Sequence, residues 1–100
     1  MQIKVMADYG CAPLWWDEGS PEKMGDIQPD SLGLSDGLCA DLWAWSKDYD
    51  ATLNVDDPSR SGFRSSADEQ AFEERGRQLT ERLAGELEPE AKVRYWRGDQ

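Results

Sequence analysis

Ser35-Asp36-Gly37-Leu38-Cys39-Ala40-Asp41-Leu42-Trp43-Ala44-Trp45-Ser46-Lys47-Asp48-Tyr49 is the most legible helix of this chain. Ser35 has the side chain of an N-cap, and Asp36 follows it in the positive first turn. Leu38, Leu42, Trp45 and Tyr49 recur at i, i+4, i+7 and i+11, which is a single apolar stripe. Cys39 and Trp43 flank that stripe. Trp43 and Trp45 lie about 200° apart around the helix axis. Both indoles therefore cannot sit at its centre, and Trp43 falls to the side.

A second helix is expected from about Ala67 to Leu87. Ser66 with Glu69 matches a capping box at its start, and Pro89 follows its end. Phe72, Leu79, Leu83 and Leu87 form its stripe, with Gly76 on the same face. A mid-helix glycine costs about 1 kcal/mol against alanine, so Gly76 points to a close approach by the first helix or a sheet. Glu73 and Arg77 have the spacing of an i, i+4 ion pair.

The rest of the chain reads as strands and loops. Residues 2–7 alternate, with Ile3 and Val5 on one face. Residues 13–16, Pro-Leu-Trp-Trp, form a second short strand, with Pro13 at its start or at an edge. Residues 92–97, Lys-Val-Arg-Tyr-Trp-Arg, form a third, with Val93 and Tyr95 inward and Arg94 and Trp96 outward. Residues 17–34 carry turn signals at Gly19-Ser20-Pro21 and Gln28-Pro29-Asp30, and Ile27, Leu32 and Leu34 pin this loop to the core. Residues 50–65 are a second loop, anchored by Leu53, Val55 and Phe63. The expectation is one α+β domain over residues 1–100, in β-β-α-α-β order. Its small three-stranded sheet carries both helices on one face.

Composition narrows the function. The chain has 100 residues, enough for one modest core. Eleven basic residues against twenty-one acidic ones give a net charge of −10. That disfavours nucleic acid, which is held through Lys and Arg, and anionic membrane surfaces. It favours solubility and steered encounter with a basic protein partner. No apolar run approaches the ~20 residues of a membrane span. Residues 1–8 lack a signal peptide's basic and apolar regions, so a cytoplasmic protein with reduced Cys11 and Cys39 is expected.

Chemistry has few footholds. The chain has no histidine, which removes the commonest general base and the Ser-His-Asp and Cys-His arrangements. Asp8, Asp17, Asp56 and Asp57 stand near strand ends and loops, where paired carboxylates serve acid-base work. With so many acids in the chain, such pairs also arise by chance. Asp50, Asn54, Asp56 and Asp57 offer oxygen ligands suited to calcium, although their spacing is not that of an EF-hand. The same residues serve equally as turn caps. Cys11 has acidic neighbours that raise a thiol pKa, and Cys39 reads as a core residue. Phosphate-binding glycine loops are absent from the sequence. No catalytic residue, metal or cofactor is expected.

Five Trp, three Tyr and two Phe exceed what so small a core accommodates. Trp15, Trp43 and Trp96 are the indoles expected outside it. Exposed tryptophans among carboxylates have the makeup of a protein-binding surface. The alternative is a loop, residues 17–34, that folds over the second sheet face and buries them. The expected partner-binding residues are Trp15, Trp43, Trp96, Asp17, Asp50, Asp56 and Asp57. The competing readings are a small carboxylate- or metal-dependent hydrolase, with Asp8, Asp56 and Asp57 in one pocket, and a structural homo-oligomer. The oligomeric state stays open.

The segment Ile3-Lys4-Val5-Met6-Ala7-Asp8-Tyr9-Gly10-Cys11, with Pro13-Leu14-Trp15, Tyr49-Asp50-Ala51-Thr52-Leu53-Asn54, Asp56-Asp57-Pro58 and Ser61-Gly62-Phe63, resembles a group of small bacterial proteins of unassigned function. In size and charge the chain is also similar to immunity proteins of bacterial toxin systems. That likeness implies an acidic inhibitor, not an enzyme, that masks a basic surface on its partner.

Overall fold

The computed structural model describes residues 2–18, 24–53 and 62–97. Strand β1 is Gln2–Val5, β2 is Leu14–Trp16 and β3 is Asp26–Ile27. A 3-10 turn at Pro29–Leu32 leads into helix α1, Asp36–Asp50. Helix α2, Ser66–Leu87, and strand β4, Lys92–Tyr95, complete the described fold.

Among the described residues the sheet has four strands in the order β3-β2-β1-β4, one more than expected. β1 pairs antiparallel with β2 and parallel with β4, so the sheet is mixed. The added strand lies inside the stretch read as a loop. It is only two residues long and pairs Ile27 with Leu14 and Asp26 with Trp15. Two residues are too few to show alternation, and pairing to β2 supplies what propensity does not. The first strand stops at Val5 and not at residue 7, although Met6 N–H still donates to Pro13 C=O at 3.0 Å. Pro13 directly precedes β2, where its missing N–H costs nothing.

Ile3, Val5, Leu14, Ile27 and Tyr95 are buried on one sheet face with Leu38, Leu42 and Trp45 of α1 and Phe72, Leu79 and Leu83 of α2. Both helices therefore cover that face. They run antiparallel: Arg82 Nη1 meets Asp41 Oδ2 at 2.6 Å, and Arg75 meets Asp48 at 3.9 Å. Glu86 of α2 accepts from Ser35 N at 2.8 Å and from its Oγ at 2.6 Å, while Ser35 Oγ caps Leu38 N. One serine thus fastens the start of α1 to the end of α2. The cap of α2 lies one residue earlier than expected. Ser65 has an extended backbone, its Oγ accepts from Asp68 N at 3.1 Å, and Ser66 is already helical.

Trp45 is fully buried and stacks on Phe72, with centroids 4.6 Å apart and planes 9° from parallel. Its Nε1 donates to Phe72 C=O at 3.0 Å, so the indole is buried without an orphaned donor. Tyr49, Phe63 and Tyr9 extend this cluster to the loop after β1. Gly76 does mark a close approach, made by β4. A Cβ there would stand 2.8 Å from Tyr95 Cζ and Oη. The expected Glu73–Arg77 pair gives way to tertiary partners. Glu73 accepts from Tyr95 Oη at 2.7 Å and from Arg97 at 3.4 Å, and Arg77 sits over the Tyr95 ring. Leu53 is exposed and anchors nothing, whereas Phe63 packs on the core as expected. Val55 lies outside the described residues.

Candidate partner-binding surface

The loop between β1 and β2 is held open by side chains, and it shapes one corner of the surface. Asp8 Oδ1 accepts from Tyr9 N at 2.8 Å, and Asp50 Oδ1 accepts from Gly10 N at 3.1 Å. Gly10 has φ +72°, a left-handed turn that glycine adopts without strain. Asp26 Oδ2 accepts from Ala12 N at 2.8 Å. Ser46, buried in α1, donates to Cys11 C=O at 3.1 Å. Three of these bonds tie the loop to α1 and β3.

Between loop and helix lies a hollow of 210 Å³, with Trp43, Lys47, Asp26 and Asp50 around it and Cys11 in its wall. Burial first, then the charges of Asp8, Asp26 and Asp50, pushes the Cys11 thiol above its ordinary pKa. Three carboxylates therefore act on this corner against one lysine. Trp43 is half-buried beside them.

The five indoles are held in different ways. Trp15 faces away from the helices, as expected, yet it is half-buried and its Nε1 donates to Met6 C=O at 3.1 Å. Trp16 packs against the core. Trp96 was expected outward with Arg94. It instead packs against the core, one residue past the end of β4, with its backbone N–H donating to Val5 C=O at 3.1 Å. Its Nε1 is buried with no hydrogen-bond partner among the described residues, and Arg97 lies 4.2 Å over its ring. Trp43 alone has neither a hydrogen bond nor a place in the core cluster among the described residues.

The expected acids are also distributed. Asp17 is fastened to Arg94, with Nε to Oδ2 at 2.6 Å and Nη2 to Oδ1 at 3.2 Å. That bond holds its carboxyl below the usual range. Asp50 joins Trp43 at the hollow, while Asp17, Trp15 and Trp96 do not line it. Asp56, Asp57 and Asn54 lie outside the described residues. Among the described residues no three His, Cys, Asp or Glu side chains converge as metal ligands, and no helix is long and apolar enough to cross a membrane. Asp26, Lys47 and Ser46 were missed as neighbours of this corner. Lys47 was legible, because i+4 from Trp43 puts it on the same helix face. Asp26 was not, because β3 had no signature.

The fold and this corner define a small acidic α+β domain with an indole left beside carboxylates. The chain belongs to the family described as Serratia CdiI immunity protein-like, which it matches over residues 1–98. No curated protein matches it.

Proposed function

We propose that this chain is an immunity-type inhibitor that binds a toxin protein and masks a basic surface on it. Family membership is the observation that carries this reading. The net charge of −10 supports a basic partner, because summed negative charge speeds encounter with a positive surface and fixes its orientation. The residues proposed to meet the toxin are Trp43, Trp15 and Asp50, together with Asp56 and Asp57. Asp17 and Trp96 contribute less, since Asp17 is already engaged by Arg94 and Trp96 by the core. The chain acts by occupying its partner and carries out no reaction of its own.

The test is coexpression with a candidate toxin domain from a neighbouring gene. Cells making both should grow, and a chain carrying several Asp→Asn changes on the proposed surface should protect less. Growth arrest despite abundant, folded chain would contradict the proposal.

A further inference from the structure

We infer that the hollow between Trp43, Asp26 and Asp50 receives a lysine or arginine side chain of the bound toxin. This inference rests on the immunity reading and names the contact within it.

Trp43 carries the argument. Trp43 is half-buried, lies outside the core cluster and makes no hydrogen bond among the described residues, so part of the largest side chain stays open to a partner. Each other tryptophan is bonded, packed in the core or stacked under an arginine. Trp43 has none of these among the described residues, and it opens on a hollow of 210 Å³. That volume suits one long side chain and not a small-molecule ligand, whose pockets run from about 300 Å³ upward.

The charge around the hollow selects the side chain. Asp26 and Asp50 each spend one oxygen on a loop N–H, at 2.8 and 3.1 Å, which fixes the carboxylates in place. Each keeps its second oxygen for another donor. A cation over the indole face with two fixed carboxylates at its sides meets both requirements of such a contact. The loop bonds to Ser46 and Asp50 hold the wall rigid, so little ordering is needed on binding. Lys47 works against the incoming cation from the rim and limits affinity there.

The experiment measures the dissociation constant of the purified toxin domain for four versions of the chain: wild type, Trp43→Ala, Lys47→Ala and Lys47→Glu. Far-ultraviolet circular dichroism and thermal melting confirm that each is folded. Trp43→Ala should bind about tenfold more weakly. Lys47→Ala should bind a few-fold tighter, and Lys47→Glu tighter still with a steeper salt dependence. Should Trp43→Ala fail to fold, the two exposed Lys47 variants carry the test alone. Wild-type affinity in Trp43→Ala, or weaker binding by Lys47→Glu, overturns this inference and leaves the immunity reading standing. Failure of the wild-type chain to bind overturns both.

Discussion

Replacing Gly76 with alanine should destabilise the domain by about 2 kcal/mol, against the ordinary preference of a helix. Alanine in a helix interior gains about 1 kcal/mol over glycine. At position 76 the new methyl would stand 2.8 Å from Tyr95 Cζ and Oη, well inside van der Waals contact. Tyr95 is 3% exposed, has Trp45 at its edge at 6.2 Å, and donates to Glu73 at 2.7 Å. The ring has nowhere to move without weakening those contacts. Overpacking costs about 1–3 kcal/mol, and a weakened bond to a carboxylate adds about 1–2 kcal/mol. The sum exceeds the helix gain. Gly85→Ala is the control, because nothing lies within 4 Å of its added Cβ. It should stabilise by up to about 1 kcal/mol. Urea denaturation of both variants gives the comparison. Equal or greater stability of Gly76→Ala relative to wild type would refute the packing of β4 on α2 described above.

Trp45→Ala should cost about 3–5 kcal/mol by urea unfolding, since it empties the core centre and removes the Phe72 bond. Trp43→Ala should cost no more than about 1 kcal/mol in the same assay; equal losses for the two would contradict the division between core and corner. Ser46→Ala should cost about 1–2 kcal/mol, because it strips a buried bond from Cys11 C=O. Asp17, Asp41 and Glu86 have carboxyls depressed by Arg94, Arg82 and Ser35 respectively. Their folded pKa values lie below the unfolded ones, so their stabilisation is present above about pH 4 and lost as pH falls through the folded values. Arg94→Ala should therefore flatten the acid side of a stability-pH curve, and an unchanged curve would argue against the Asp17 pair. Cys11 and Cys39 have thiol pKa values raised first by burial. Iodoacetamide should modify the native chain slowly at neutral pH and both thiols quickly in urea.

The helices were legible because each has a long stripe and a serine start. Leu38, Leu42 and Trp45 are fully buried, as their spacing requires. The cap of α2 falls on Ser65 and not on Ser66; each has an acid three residues on, so local pattern does not separate them. β3 was invisible because two residues have no period. Only the pairing of β3 with β2 brings Asp26 to the corner at Trp43, and no local pattern marks it. Trp96 lies one residue beyond β4 and packs against the core, a tertiary contact that strand alternation does not foretell. Glu73 was assigned to Arg77 by spacing, but a phenol and an arginine arriving from β4 outcompete a surface i, i+4 pair worth about 0.2–0.5 kcal/mol. Local rules thus gave the elements, and the failures lie where distant strands supply a partner.

The most direct measurement is the affinity of this chain for a candidate toxin domain from a neighbouring gene, the partner proposed above, followed as salt is raised. A tight complex is expected, whose affinity falls by about tenfold or more from low to high salt, because a chain of net charge −10 would cover a basic surface. A missing complex, or one whose affinity is indifferent to salt, would contradict the proposal.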